Sequence, residues 1–204
     1  MWLVRAISFF VFLTPLLAIK NEFHMADEYY FTACLNTGEK IFYSGHMLSL
    51  INGYLWWGLA TLMGFTISAY RALQIASSIT AAIGMAALID LAMFWKLSRK
   101  EAFLFSLPVF LSNAFVRYGT SAYPHAGAFG MGLVAVNLLI RAVARQENAS
   151  ENKYLKFFYT SGLAAGFVCL LHAIFLILIP GFILGIIVKL RQCKRSVIQI
   201  FSCL

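Results

Sequence analysis

Apolar stretches on the scale of a bilayer's thickness recur from one end of this chain to the other, at 2–19, 48–67, 72–95, 102–116, 127–144 and 155–190. A helix needs about 20 residues to cross the hydrocarbon core, and fewer when its ends snorkel. Most of these segments lack the polar face, recurring every ~3.6 residues, that a helix on a soluble core carries. Of the 204 residues 61% are hydrophobic and 12% charged, and a soluble domain of this size has too little interior to hide so much apolar surface. The expected class is therefore all-α: a polytopic transmembrane helical bundle with an outer loop bearing interfacial helices.

The net charge of +8 would suggest nucleic acid if the basic residues formed one patch, but they sit between apolar segments, where topology signals lie. Nucleic acid is thus excluded as a partner, and membrane lipid is expected. The cysteines, Cys34, Cys169, Cys193 and Cys203, form no CxxC pair. Cys169 and His172 share a helical spacing without a second pair to complete a zinc site, so neither a zinc centre nor a disulfide framework is expected. The stretch from Trp2 to Ile19 lacks a small-x-small cleavage site before Lys20 and reads as an uncleaved first helix.

Basic clusters order the topology. They are Arg5, then Lys96, Arg99 and Lys100, then Arg141, Arg145, Lys153 and Lys156, and finally Arg191, Lys194 and Arg195. All of them fall on the cytoplasmic side if 48–67 is interfacial or re-entrant, and 96–101 falls outside if that segment spans fully. Asn52, Gly53, Trp56, Trp57 and Gly64 suit the interfacial choice. The long stretch 155–190 divides near His172 into helices at 155–171 and 174–190. The result is a single module over 1–204: a first span at 2–19, an outer acidic loop at 20–71, five further spans within 72–190, and a basic cytoplasmic tail at 191–204. Asn148-Ala149-Ser150 is a glycosylation sequon on the cytosolic side of this arrangement. Asp90 sits inside the 72–95 span, where an acid is a functional candidate, but it lies within two turns of Lys96 and reads in preference as an acid near the cytoplasmic interface.

This topology gathers the chemically capable side chains on the outer side. Asp27 and Glu28, paired after the first helix, can bind a cation or take the proton of an attacking hydroxyl. Their ordinary alternative is a polar loop. Tyr30 follows them, and His46 stands where the loop enters the aromatic segment. Arg71 and Arg117, near the outer ends of spans, suit phosphate through the guanidinium fork, or else snorkel to headgroups. Tyr118, Tyr123 and His125 make a short aromatic, polar turn of a kind suited to sugar contact, and His172 lines the outer cavity or caps a helix turn. The sequence leaves metal dependence open.

Taken together, Asp27-Glu28-Tyr29-Tyr30, Gly38, Gly45-His46-Met47-Leu48, the Gly64–Arg71 stretch, Leu73, Ser77-Ser78 and Gly162–Gly166 leading to His172 resemble the GT-C superfamily of integral-membrane glycosyltransferases. The likeness is to the branch with protein O-mannosyltransferases and the aminoarabinose lipid A transferases. It implies transfer of a sugar from a polyprenyl-phosphate donor to a hydroxyl acceptor on a lipid, glycan or protein at the outer face of a bacterial inner membrane. It also implies that Asp27 activates the acceptor with Glu28 beside it, and that no further cofactor is used. Relatives carry a proline pair where this chain has His46-Met47, and a second outer acid where it has Tyr123-Pro124-His125. They are also longer, so the chain corresponds to their N-terminal module. The alternative is a non-enzymatic multi-pass protein, a transporter subunit or an inactive remnant, whose polar groups belong nearer the bilayer midplane.

In a background without native cysteines, single cysteines at positions 27, 98, 121 and 148 should be labelled from outside at 27 and 121 only. Outside labelling at 98 with 121 protected would mean that 48–67 spans fully and would split the acidic pair from the aromatic turn.

Overall fold

The computed structural model describes residues 2–19, 26–38, 47–123, 125–145, 160–166, 168, 169, 180 and 183. Among them the chain is helical with no strand. The elements are α1 (Trp2–Ala18), α2 (Ala26–Thr37), α3 (Met47–Leu62), α4 (Ala69–Phe94), α5 (Arg99–Phe110), α6 (Asn113–Gly119) and α7 (His125–Arg145). Residues 160–166, 168 and 169 are helical beyond them.

Serine starts three of these helices. Ser68, Ser98 and Ser112 lie in extended backbone, and each side chain accepts from an N–H of the first turn, that of Arg71, Glu101 and Phe115 respectively. Such caps satisfy donors that the helix itself leaves open. At α5 the cap is reciprocal, because Glu101 reaches back to the Ser98 N–H at 2.8 Å. The α4 terminus turns on Lys96, which takes a left-handed φ of 68°. Its N–H donates to Met93 O, and the Leu97 N–H to Ala92 O, closing the end as a glycine would. The basic loop read at 96–101 is thus only a tight turn, with Arg99, Lys100 and Glu101 already in α5.

The segment read as one span at 102–116 is two helices, α5 and α6, bent by 79°. Pro108 lies inside α5, where it has no N–H to donate, and the helix ends two residues later. Ser112 then caps α6 in the new direction.

α4 is the axis of the molecule and packs against all six other labelled helices, most extensively against α7, then α1, α3 and α5, and more lightly against α2 and α6. Its middle and C-terminal part, from Ala81 to Ala92, buries against Phe12, Leu13 and Leu16 of α1, Ala102 of α5 and Phe115 of α6. Its first turns, through Ala69, Ala72 and Leu73, bury against Phe31, Cys34 and Leu35 of α2, Leu50 of α3, and Ala122 and Tyr123. α1 runs antiparallel to α4, since Arg71 meets the Leu17 carbonyl at one end and Arg5 meets Asp90 at the other. α7 runs parallel to it, with Gly127 beside Ser77 and Thr80 and Asn137 beside Ala87 and Asp90.

The α4–α7 contact is made backbone to backbone. A Cβ added to Gly84 would overlap the Gly130 main chain, and one added to Gly130 would overlap the Thr80 carbonyl. Small residues that let helices approach this closely are the usual means of tight association where no water is available to drive it.

By length and composition, α4 is the one described helix long and apolar enough to cross a membrane. At 26 residues it is ~39 Å long, against ~30 Å of hydrocarbon. The bent α5–α6 pair passes only if taken as one span, and the apolar parts of α1 and α7 are shorter. The helical class is as expected from sequence, but the described helices supply one such span, or two, where the sequence reading has six. Of the two helices read at 155–171 and 174–190, residues 160–166, 168, 169, 180 and 183 are described and helical, while the division at His172 and the basic tail lie outside the described residues. α3, the segment read as interfacial, packs its Leu50 and Gly53 against Leu35 and Leu73 and leaves Leu55, Leu59 and Leu62 exposed.

Replacing Gly84 by leucine should lower stability by about 1–3 kcal/mol or more through overpacking. Gly58→Ala, on α3 with open space around it, should be neutral or gain up to ~1 kcal/mol from helix propensity. Thermal unfolding of the purified variants checks both, and equal melting of the two would show that the backbone contact is not needed.

Candidate functional site

Two polar clusters occupy opposite ends of α4. The first surrounds its N-terminal turns. Glu28 on α2 is wholly buried, and its Oε2 accepts from the Tyr70 hydroxyl at 3.1 Å. A carboxylate is rarely enclosed this way unless hydrogen-bonded, so the phenol is part of what lets α2 dock. Arg71, the next residue, donates through Nη1 to Gln74 Oε1 at 3.0 Å and through Nη2 to the Leu17 carbonyl. This guanidinium therefore closes the open C-terminal end of α1. A guanidinium has five N–H donors, so Arg71 keeps donors beyond those used in these two contacts.

The segment before α7 is tied to the same end. Ser77 and Ser78 donate to the carbonyls of Tyr123 (3.2 Å) and Gly119 (2.9 Å). The Tyr123 ring lies 5.9 Å from that of Phe31 on α2 and 4.2 Å from His125, whose imidazole is also 5.2 Å from the ring of Tyr118. Three aromatic side chains thus meet edge to face, next to the helix that carries the acidic pair.

Of the residues singled out from sequence, Glu28, Arg71, Tyr118, Tyr123 and His125 come together around the first turns of α4. Tyr30 belongs to the same packing, with its ring 6.2 Å from Phe31. Arg117 precedes Tyr118 on α6, half-exposed. Asp27 is in the first turn of α2, with its side chain outside the described residues. His46 and His172 lie outside them altogether. The described residues contain no group of three His, Cys, Asp or Glu side chains placed to hold a metal ion.

The second cluster is centred on Asp90. Asp90 is a buried hub joining three helices. Its Oδ1 accepts from Arg5 Nε at 3.1 Å, and its Oδ2 from Arg5 Nη2 (2.8 Å), Asn137 Nδ2 (2.9 Å) and Arg141 Nη2 (2.8 Å). Arg141 also donates to Asn137 Oδ1 at 2.8 Å and to the Asp90 carbonyl, and it lies over the Phe94 ring. Arg5 and Arg141 appear in sequence as topology markers. The sign that they do more is that Arg5, Asp90, Asn137 and Arg141 each interrupt an otherwise apolar helix, the last two one turn apart.

No known protein family, curated protein or solved structure matches the chain.

Removing a buried partner costs more than the pair contributes, because charge is left behind without compensation. Asp90→Ala should destabilise by about 3–5 kcal/mol. Arg5→Gln, at a partly exposed side chain, should cost less than about 1 kcal/mol. Thermal unfolding reads both, and wild-type melting of Asp90→Ala would remove the hub from the account of stability.

Proposed function

We propose that the chain is a membrane-embedded, glycosyltransferase-like module that moves a sugar from a polyprenyl-phosphate donor to a hydroxyl acceptor at the outer face. The observation that carries this reading is the convergence at one end of α4 of the acid-bearing helix α2, the guanidinium of Arg71 and the Tyr118–Tyr123–His125 aromatic group. A long apolar helix passes through the middle of the fold, and its end is the depth at which a lipid phosphate meets water. The resemblance read from sequence supplies the reaction class.

In this reading the acceptor oxygen attacks the anomeric carbon and the bond from that carbon to the phosphate oxygen breaks. The polyprenyl phosphate leaves with the bonding electron pair. Asp27 takes the acceptor's proton. Arg71, held by Gln74 and the end of α1, directs its remaining N–H groups to the phosphate, where charge grows as the bond breaks. Arg117 is a second candidate for that contact. Glu28, enclosed and bonded to Tyr70, is a positioning residue: it fixes the first turn of α2 and so the place of Asp27. Tyr30, Tyr118, Tyr123, His125, His46 and His172 are candidates for contact with the sugar or acceptor. The module lies in a bacterial inner membrane as a multi-pass protein.

Membranes containing the chain should release polyprenyl phosphate from a labelled polyprenyl-phosphate sugar. Loss of the general base should slow release about 100-fold or more in Asp27→Asn, with normal insertion. Glu28→Gln should retain more activity than Asp27→Asn. Unchanged turnover in Asp27→Asn would remove that residue from the mechanism. Absence of both turnover and donor binding in the unaltered chain would leave the non-enzymatic reading.

A further inference from the structure

A threonine in a helix commonly turns its hydroxyl to the carbonyl four residues back, which satisfies the donor without help from another element. Thr14, Thr37, Thr61, Thr80 and Thr120 all do so, at 2.8–3.1 Å. Thr32, in the middle of α2, does not. Its Oγ1 is enclosed and makes no hydrogen bond, although the carbonyl of Glu28 stands four residues before it. The residue as a whole is only half-buried, so other atoms of Thr32 reach the surface while the hydroxyl is turned inward. An enclosed polar group left without a partner lowers stability, and in a folded protein each such group calls for a reason.

The place of this one supplies a reason. Thr32 follows Glu28 by one turn on the same face of α2, and Phe31, between them in sequence, packs its ring 5.9 Å from that of Tyr123. Glu28 accepts from Tyr70, the residue before Arg71. The hydroxyl is thus one helix turn from the carboxylate that ties α2 to the candidate site. A neutral group that both donates and accepts is the partner that fits there, since a second charge would have to be desolvated beside the acid. We propose that Thr32 is a substrate contact whose Oγ1 hydrogen-bonds a hydroxyl of the transferred sugar when the donor is bound. Rotation about χ1 brings Oγ1 to the side of the residue that is exposed. This rests on the glycosyltransferase reading above. The bond missing from the free chain is made on binding, so the donor gains affinity from a group that the fold leaves unsatisfied.

Two variants of the full chain in phosphatidylcholine nanodiscs test this. Thr32→Val keeps the shape and removes the hydroxyl, and Thr32→Ser keeps the hydroxyl. Thr32→Val should melt about 2–4 °C above the unaltered chain, because an unsatisfied group is gone. It should bind polyprenyl-phosphate mannose about tenfold more weakly and sugar-free polyprenyl phosphate as before. Thr32→Ser should keep the affinity of the unaltered chain for both lipids. A melting temperature of Thr32→Val at or below that of the unaltered chain would show that the hydroxyl already has a partner and would overturn the proposal. Unchanged affinity of Thr32→Val for the sugar-bearing lipid, or equal weakening for the two lipids, would overturn it as well, leaving Thr32 a residue of packing alone. The unaltered chain is read separately: binding of neither lipid would sink the transferase reading itself, whereas binding of both with equal affinity would sink only the sugar contact.

Discussion

The fold depends on the close approach of α4 and α7 at Gly84 and Gly130. With no Cβ on either side, the two main chains come into contact, and that spacing is set for the length of both helices. It brings Asn137 and Arg141 within reach of Asp90, one turn after another, and it brings Gly127 against Ser77 and Thr80. A side chain at either glycine would push apart both polar ends of the interface as well as its centre. The small residues of α4 extend the same logic to its other faces, where Ala72, Ala76, Ala81, Ala82 and Ala92 are buried. A helix surrounded by neighbours in this way needs narrow side chains on several faces, which is why its apolar pattern is not confined to one stripe.

Among the described residues the charged groups packed against α4 sit towards its two ends. At each end a carboxylate and at least one guanidinium come from different helices, but they are used differently. Asp90 accepts four hydrogen bonds from three side chains and has little acceptor capacity left. Glu28 is fixed by Tyr70, while the guanidinium next to it serves Gln74 and the carbonyl end of α1. A saturated carboxylate between arginines is a fastener. An acid-bearing helix held beside an arginine with donors in reserve, and beside a wall of aromatic rings, is an arrangement able to hold a ligand.

Much of this was legible in the sequence, and what escaped did so for physical reasons. The helical class followed from apolar stretches of bilayer length that mostly lack a polar face. Glu28, Arg71, Tyr123 and His125 were marked by residue type, and they do converge, because Arg71 lies in the first turn of α4 and Ser77-Ser78 fasten the later turn to it. The break between α5 and α6 was missed, since Pro108 and Ser112 interrupt a run whose hydropathy does not change. Hydropathy over 102–116 or 2–19 likewise says nothing of helix length or of a bend, which is why the described helices supply one or two full-length spans by that measure. The partners of Asp90 were not read because they are 85 and 51 residues away. Pairing over such distances has no local signal beyond the oddness of each polar residue in its apolar helix.

The orientation of α1 ties the two ends together. Running antiparallel to α4, it sends Arg5 to Asp90 and presents the carbonyl of Leu17 to Arg71. Both contacts use arginine, and each reaches across to a group that a helix alone would leave uncompensated: a buried carboxylate at one end, an unpaired C-terminal carbonyl at the other. α1 is therefore fastened at both termini, while Leu3, Ile7, Phe10 and Val11 on its outer face stay exposed and apolar. Its one hydroxyl on that side, Thr14, donates to the Phe10 carbonyl within the helix, so the face shows no unsatisfied donor. A surface with its charges drawn inward at the ends and its hydroxyl satisfied internally is suited to hydrocarbon rather than water. On the membrane placement proposed above, this is the physical ground for setting a helix shorter than a full span beside α4.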